Sequence, residues 1–376
     1  MQFNPLPRQE RLNLIMKASA IDAFMLTSPS TIKCLSGYYH NFEAGPSPFQ
    51  LIPAVLIIVP NQFMGIVIAD NESFTSPVPG MEISVIEYVS YIYEKPLDFT
   101  NQFLIQLHNM LNQIGIDKMR IGVEMNSLPF VIAQSLKTKY TGIEFVDITA
   151  ELSILKAVKD ADEIENIRKA TALSDLGQTA VLKHAQIGMT ELELFNLVRL
   201  EIEASVGTRV PIMVDLVSGV RTASGGGIPT NKTIKEGDLI LSDLTPCFNG
   251  YWGDSCNTLA VGMPTTEQKR AYLRVKEALN TAINAIRPGI KASDIDSIMR
   301  KHVGDFPHHG GHGVGTLYHE NPRIVPYNNA ELEPNMVIAL EPAIYEKHFG
   351  IRLEHMVLIT EAGCEVLTEF QHCFEF

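Results

Sequence analysis

The stretch Asp243-Leu-Thr-Pro-Cys-Phe-Asn-Gly-Tyr-Trp-Gly-Asp254 sets two acids eleven positions apart around an Asn249-Gly250 turn signal. Upstream, Leu239-Ile240-Leu241-Ser242 is a mostly apolar run that predicts a strand ending on Asp243, and Tyr251 to Val261 predicts the return strand. Such a hairpin brings Asp243 and Asp254 together. The same shape recurs near the C-terminus, where Met336-Val337-Ile338-Ala339-Leu340 runs into Glu341 and Ile351-Arg352-Leu353-Glu354 opens the return.

The recurrence has a consistent spacing. Asp243 aligns with Glu341 at an offset of 98 and Asp254 with Glu354 at 100. Gly188-Met189 ahead of Leu194 to Arg199 aligns with Gly289-Ile290 ahead of Ile295 to Arg300 at an offset of 101. This predicts an internal repeat of helix, Gly-marked turn, helix and acid-bearing hairpin, each half giving a carboxylate pair to a central cleft. His312 lies between the two pairs in the sequence. One imidazole and four carboxylates carry more hard oxygen charge than a single buried ion needs. Asp243, Asp254, His312, Glu341 and Glu354 therefore predict two divalent cations sharing bridging carboxylates, and with them metal-assisted hydrolysis. His308, His309, His312 and His319 share one Gly-rich stretch, which lets side chains crowd a cation.

Glu236-Gly237-Asp238 through Asp243, Gly250-Tyr251-Trp252-Gly253-Asp254, Gly311-His312-Gly313-Val314-Gly315, His319-Glu320-Asn321-Pro322, Leu340-Glu341-Pro342 and Arg352-Leu353-Glu354 carry a resemblance. From about Leu155 onward the chain resembles the pita-bread metallohydrolase family, which includes methionine aminopeptidase, aminopeptidase P, prolidase and the metal-free creatinase. The resemblance implies an α/β N-terminal creatinase-like domain over residues 1–154. It implies an α+β pita-bread catalytic domain with an internal pseudo-twofold repeat over residues 155–376. The five ligands would be Asp243, Asp254, His312, Glu341 and Glu354, holding two divalent ions; manganese is expected, with cobalt, iron or zinc as alternatives. His319, Glu341 and His308 are the implied catalytic residues, and His308, His319 and Arg352 the implied substrate contacts. His308 is preferred to His309 because it stands four before His312, as in the aminopeptidase P branch. Arg352 is expected to orient Glu354 or the substrate, and a homodimer is implied by the family alone.

The expected chemistry follows from charge. Two cations bridged by Asp254 and Glu354 would lower the pKa of a shared water from about 15.7 towards about 7. Glu341 would take or hold its proton, and His319 would help stabilise the oxyanion formed from an amide carbonyl.

Two departures from the family pattern bear on substrate. Counting back from Pro229, the position of a peptidase histidine falls on Gly226, so the cleft is expected to be roomier there. The substrate-carboxylate arginine of creatinase has no counterpart in Phe42-Glu43-Ala44-Gly45-Pro46-Ser47-Pro48-Phe49, and the full ligand set argues against creatinase. The leading reading is an Xaa-Pro dipeptidase or aminopeptidase acting on short peptides. Its alternative is a small-molecule amidohydrolase of creatinase or ectoine-hydrolase type, and a third is a non-catalytic binding protein on the same scaffold. Five costly buried charges disfavour that third reading.

Composition agrees with an enzyme of two packed domains. The chain has 376 residues, 45% hydrophobic and 19% charged, enough for a large core. A formal charge of −13 disfavours nucleic acid, whose phosphates call for a basic face. The N-terminus lacks the apolar run of a secretory signal, and Leu51 to Pro60 is too short to span a membrane and reads as a buried strand. Five scattered cysteines without a Cys-x-x-Cys pair favour reduced thiols in a cytosol. In the first domain, strands are expected at Ala23 to Thr27, Ala54 to Val59, Met64 to Ile68 and Arg120 to Val123, with helices around Phe103 to Ile114 and Pro129 to Lys137. Asp147 to Lys159 marks the boundary. Beyond it Asp160-Ala-Asp162-Glu163 opens a long helix, and Thr190-Glu191-Leu192-Glu193 is a capping box for the next. A loop from Leu35-Ser36-Gly37-Tyr38 to Pro48 resembles one that borders the family's active site.

Overall fold

The computed structural model describes residues 6–39, 54–72, 74, 78 and 80–375. The expectations for Phe42 to Phe49 and for most of the loop reaching Pro48 lie outside the described residues. The chain divides into two compact units, Met1–Lys156 and Ala157–Phe376.

In the first unit, α1 (Arg8–Ser19), β1 (Ala23–Leu26), α2 (Pro29–Ser36), β2 (Val55–Val59), β3 (Phe63–Ala69) and β4 (Ser84–Tyr88) come first. They are followed by α3 (Phe99–Ile114), β5 (Arg120–Val123), α4 (Phe130–Lys139), β6 (Glu144–Asp147) and α5 (Thr149–Ala157). The six strands form one mixed sheet in the order β4-β3-β2-β1-β5-β6. Side-chain alternation along each strand divides the apolar residues between two faces. Phe24, Leu26, Leu56 and Ile58 pack with Leu12, Ile15 and Ile32, while Met25, Val55 and Ile57 pack with Phe103, Leu107 and Ile132. Burial on both faces explains why these strands read as unbroken apolar runs. Helix α1 has no counterpart in the sequence reading. Its inward face mixes Leu12 and Ile15 with the buried Arg8 and Arg11, which hides the apolar periodicity. Arg11 donates from Nη1 to the Leu155 carbonyl at 2.7 Å.

The second unit contains two helix-and-sheet halves in tandem. The first half has α6 (Ala161–His184), α7 (Glu191–Val206), β7 (Ile212–Ser218), β8 (Leu239–Phe248), β9 (Tyr251–Trp252) and β10 (Ser255–Ala260). The second has α8 (Thr266–Ala285), α9 (Ala292–Val303), β11 (Gly311–Gly313), β12 (Glu320–Ile324), β13 (Val337–Leu340), β14 (Ala343–Tyr345), β15 (Gly350–Arg352), β16 (His355–Ile359) and β17 (Cys364–Val366). Helix starts are fixed by capping boxes. Glu163 accepts from the Asp160 N–H at 3.0 Å, and Thr190 and Glu193 satisfy each other's N–H groups at 2.7 and 3.1 Å. Leu194, Val198 and Ile202 of α7 pack with Leu216, Ile240 and Leu244. Val275 and Leu279 of α8 and Ile295 and Met299 of α9 pack with Ile338, Leu340 and Val357. The expected internal repeat is thus two hairpins, each covered by its own helix pair.

The hairpins differ from expectation in one detail. Strand β8 runs on past Asp243 to Phe248, and the return is split into β9 and β10 around Gly253-Asp254. A Cβ at Gly253 would run into the Ala170 backbone of α6. Asp254 leaves the ladder and sends its N–H to Met356 Sδ at 3.0 Å. The break in pairing is what turns this acid into the cleft.

Candidate metal centre

Register delivers the acids to one place. On β8 and β10 Asp243 pairs with Cys256, and on β13 and β16 Leu340 pairs with His355, so Glu341 and Glu354 are the next residues outward on facing strands. His312 sits in β11, paired with Ala339. Its Nδ1 lies 3.1 Å from the Gly313 carbonyl, which can only accept, so Nδ1 carries the proton. The Nε2 lone pair is then free to face Glu341 Oε1 at 3.5 Å, Asp254 Oδ2 at 3.7 Å and Glu354 Oε1 at 4.0 Å. Burial lowers the His312 pKa to about 4, which keeps that lone pair available at neutral pH.

The carboxylates are electrostatically uneven. Burial, then repulsion among neighbouring acids, pushes Asp254 and Glu354 well above the carboxylate range. Burial raises Asp243 to about 6 against the pull of Arg352. Burial would raise Glu341 as well, yet the close approach of His309, helped by His312 and His308, holds it at about 2. Thr245 donates to Asp254 Oδ1 at 2.9 Å. Glu354 Oε2 is buried with no hydrogen-bond partner among the described residues.

Three expected residues occupy places that the sequence did not specify. Arg352, expected at Glu354 or the substrate, is 5% exposed, and its Nη2 reaches Asp243 Oδ2 at 2.5 Å and Asp215 Oδ2 at 3.3 Å. Its Nη1 donates to Gly225 O and Tyr345 Oη, so the guanidinium orients Asp243 instead. His308 accepts from the Tyr345 hydroxyl at 2.9 Å and stands 3.6 Å from Glu341 Oε2. His309, which the spacing does not favour, is nearer than His308: its Nε2 is 2.9 Å from Glu341 Oε1. His319 is exposed, its ring 4.3 Å from that of His312 and 5.2 Å from that of His309. The room expected at Gly226 is filled, because a Cβ there would fall inside the Asp215 carboxylate.

The profile of metallopeptidase family M24 matches residues 165–361, and that of the creatinase/prolidase N-terminal domain matches residues 8–158. The Xaa-Pro dipeptidase of Pyrococcus furiosus is 31% identical over 369 residues, spanning 96% of this chain and 97% of its own. The chain belongs to metallopeptidase family M24. Among solved structures, the X-Pro aminopeptidase of Thermotoga maritima has a TM-score of 0.80 at 25% identity, covering 98% of this chain and 100% of its own. The prolidase of Pyrococcus furiosus has a TM-score of 0.76 at 27% identity, covering 96% and 99%.

M24 membership makes this chain a metallopeptidase and implies divalent metal ions. Its residues fit such a group. Asp254, His312 and Glu354, all buried, offer ligand atoms within 4.8 Å of one another, the separation of donors that share an ion at roughly 2–2.5 Å. The unpartnered Glu354 Oε2 and the raised carboxyl pKa values mark acids whose charge awaits a cation. His309, His312 and His319 form a second, all-nitrogen group of the same size. Among the described residues, no helix of this M24 chain is long and apolar enough to cross a membrane.

Proposed function

We propose that this M24 metallopeptidase is an Xaa-Pro dipeptidase or Xaa-Pro aminopeptidase that hydrolyses short peptides next to proline. The observation that carries the reading is the convergence of the His312 lone pair with Asp254, Glu341 and Glu354, in a chain similar over nearly its whole length to an Xaa-Pro dipeptidase. Asp243, Asp254, His312, Glu341 and Glu354 are the proposed ligands of two divalent ions, manganese first among them. Four carboxylates against Arg352 leave a net charge of about −3, which two dications with a bound hydroxide would balance.

When bound, the ions supply Lewis-acid polarisation of the scissile carbonyl and a nucleophilic water. The rest falls to the chain. Glu341, ionised and backed by His309, holds or moves the proton of the attacking water. His319, exposed beside His312, donates to the developing oxyanion, and His308, held by Tyr345, contacts the substrate, while Glu341 passes the water proton on to the leaving amine. Arg352 keeps Asp243 ionised and aimed. A cytoplasmic homodimer completes the proposal; five scattered cysteines without a Cys-x-x-Cys pair support the compartment.

The second reading, a small-molecule amidohydrolase, draws on one observation: the cleft wall at Gly226 carries an acid, Asp215, and no imidazole. Turnover of Gly-Pro, Ala-Pro and Xaa-Pro-Xaa peptides with added manganese decides between them. Hydrolysis of none, by protein that binds metal, would leave the second reading standing.

A further inference from the structure

Asp215 of β7 pairs in register with Asp243 of β8. Residues directly opposite on neighbouring strands project from the same face, so Asp215 stands beside a proposed ligand on the cleft side of the sheet. Two like charges in that relation repel, and one guanidinium reaches both. Arg352 Nη2 lies 2.5 Å from Asp243 and 3.3 Å from Asp215, and Nη1 is committed to Gly225 and Tyr345. Asp243 takes the closer contact. The Asp215 side chain is left 37% exposed, against 18% for Asp243.

The acid is also fixed in place. Asp215 Oδ1 accepts from the Gly227 N–H at 2.8 Å, and the Gly227 carbonyl accepts from the Leu216 N–H at 3.0 Å. Arg221 holds the same loop through the Ile228 carbonyl at 3.0 Å. With no Cβ at Gly226, the loop closes directly over the carboxylate. A carboxylate pinned by backbone, sharing Arg352 with Asp243 and open to solvent beside the reacting centre is built to receive positive charge.

We propose that Asp215 binds a cationic group of the substrate, the α-ammonium of a short peptide, at the Asp243 end of the cleft. The proposal rests on the peptidase reading for the identity of that ligand. Asp215→Asn removes the charge and keeps the acceptor for Gly227, so it separates recognition from loop support.

Calorimetry on the manganese-loaded full chain with Ala-Pro and N-acetyl-Ala-Pro, each carrying a non-hydrolysable methyleneamine in place of the scissile amide, tests it. Wild type should bind Ala-Pro about tenfold or more tightly than the acetylated peptide, as expected for one charge-assisted hydrogen bond. Asp215→Asn should lose most of that preference with its affinity for N-acetyl-Ala-Pro and its metal content unchanged. No preference in wild type, an equal weakening of both ligands, no weakening of either, or loss of metal would overturn the proposal. Should Asp215→Asn not fold, Asp215→Ser carries the same comparison. Hydrolysis followed in parallel keeps the two readings apart, since charge-selective binding without turnover of any Xaa-Pro peptide removes the peptidase assignment and leaves the ammonium site.

Discussion

His309 Nε2 lies 2.9 Å from Glu341 Oε1, and this contact heads the influences that hold the Glu341 pKa at about 2 despite burial. Partners that orient a metal-binding carboxylate typically contribute 10–100-fold to metal affinity or activity. His309→Ala should therefore weaken manganese binding by about 10–100-fold. With the contact gone the Glu341 pKa rises, so binding should also fail at a higher pH on acidification. Manganese titrations between about pH 5 and pH 8 read both effects. Equal affinity and an unshifted acid limb would make the contact incidental.

The acids at the centre should make the metal-free protein sensitive to alkali. Asp254 and Glu354 have raised pKa values in the fold, so the native state keeps protons that the unfolded chain releases above the usual carboxylate range. Their stabilisation is present at low pH and is lost as pH rises through the folded values. Glu354→Gln should flatten this fall by about 1.4 kcal/mol per pH unit, the slope of one proton, and should raise the melting temperature of the metal-free protein at neutral pH. Adding manganese should reverse the ranking and favour wild type. Denaturation followed across pH with and without metal gives all four curves, and a variant no more stable than wild type without metal would refute the charge argument.

How far the sequence could be read depended on whether the signal was local. The two hairpins, the Asn249-Gly250 turn and the repeat were legible because strand, turn and acid lie within a few residues of each other. Helix α1 was not, because the buried Arg8 and Arg11 occupy what would be apolar positions. Asp215 sits in Ile212–Ser218 as an ordinary strand residue, and its importance comes from pairing with Asp243, which no local pattern encodes. For His309 the family spacing favoured its neighbour, and only the turn into β11 shows that both rings face Glu341. Asp243, for its part, lies mid-strand, since β8 continues through Thr245 and Pro246 to Phe248.

His372 ties the C-terminal segment to both hairpins. Its Nε2 lies 3.1 Å from the carbonyls of Cys256 and Glu354, and its ring is 4.1 Å from that of His355. Burial, then His355, lowers its pKa to about 3. A neutral imidazole in the fold and a titrating one in the unfolded chain give stability that is complete above about pH 6.5 and is lost as pH falls from there. His372→Gln removes the titration. Its stability should fall less steeply between about pH 6.5 and pH 4, by about 1.4 kcal/mol per unit, while at neutral pH it should lose about 1 kcal/mol from the altered hydrogen bonds. Guanidinium unfolding at several pH values measures both, and parallel acid limbs would show that His372 titrates alike in both states.

Gly226 gives the sharpest test of the cleft wall. A Cβ at this position would fall inside the Asp215 carboxylate, so Gly226→Ala must push Asp215 away from the Gly227 N–H and from Arg352. Overpacking of this kind costs roughly 1–3 kcal/mol. Asp215→Ala alone leaves space and an unmet N–H, and should cost about 1 kcal/mol. In the double variant the new methyl group enters the space the carboxylate left, so the two losses should not add. A double-mutant cycle by chemical denaturation should give a favourable coupling of about 1 kcal/mol or more. Additive losses would mean that the cost of Gly226→Ala lies in its own backbone, held at a φ of +156°, and not in displacing Asp215, and the ring of Gly226→His would then meet the same backbone cost with Asp215 in place. The cycle therefore decides whether an imidazole can be restored to this wall by one substitution or only after Asp215 is removed.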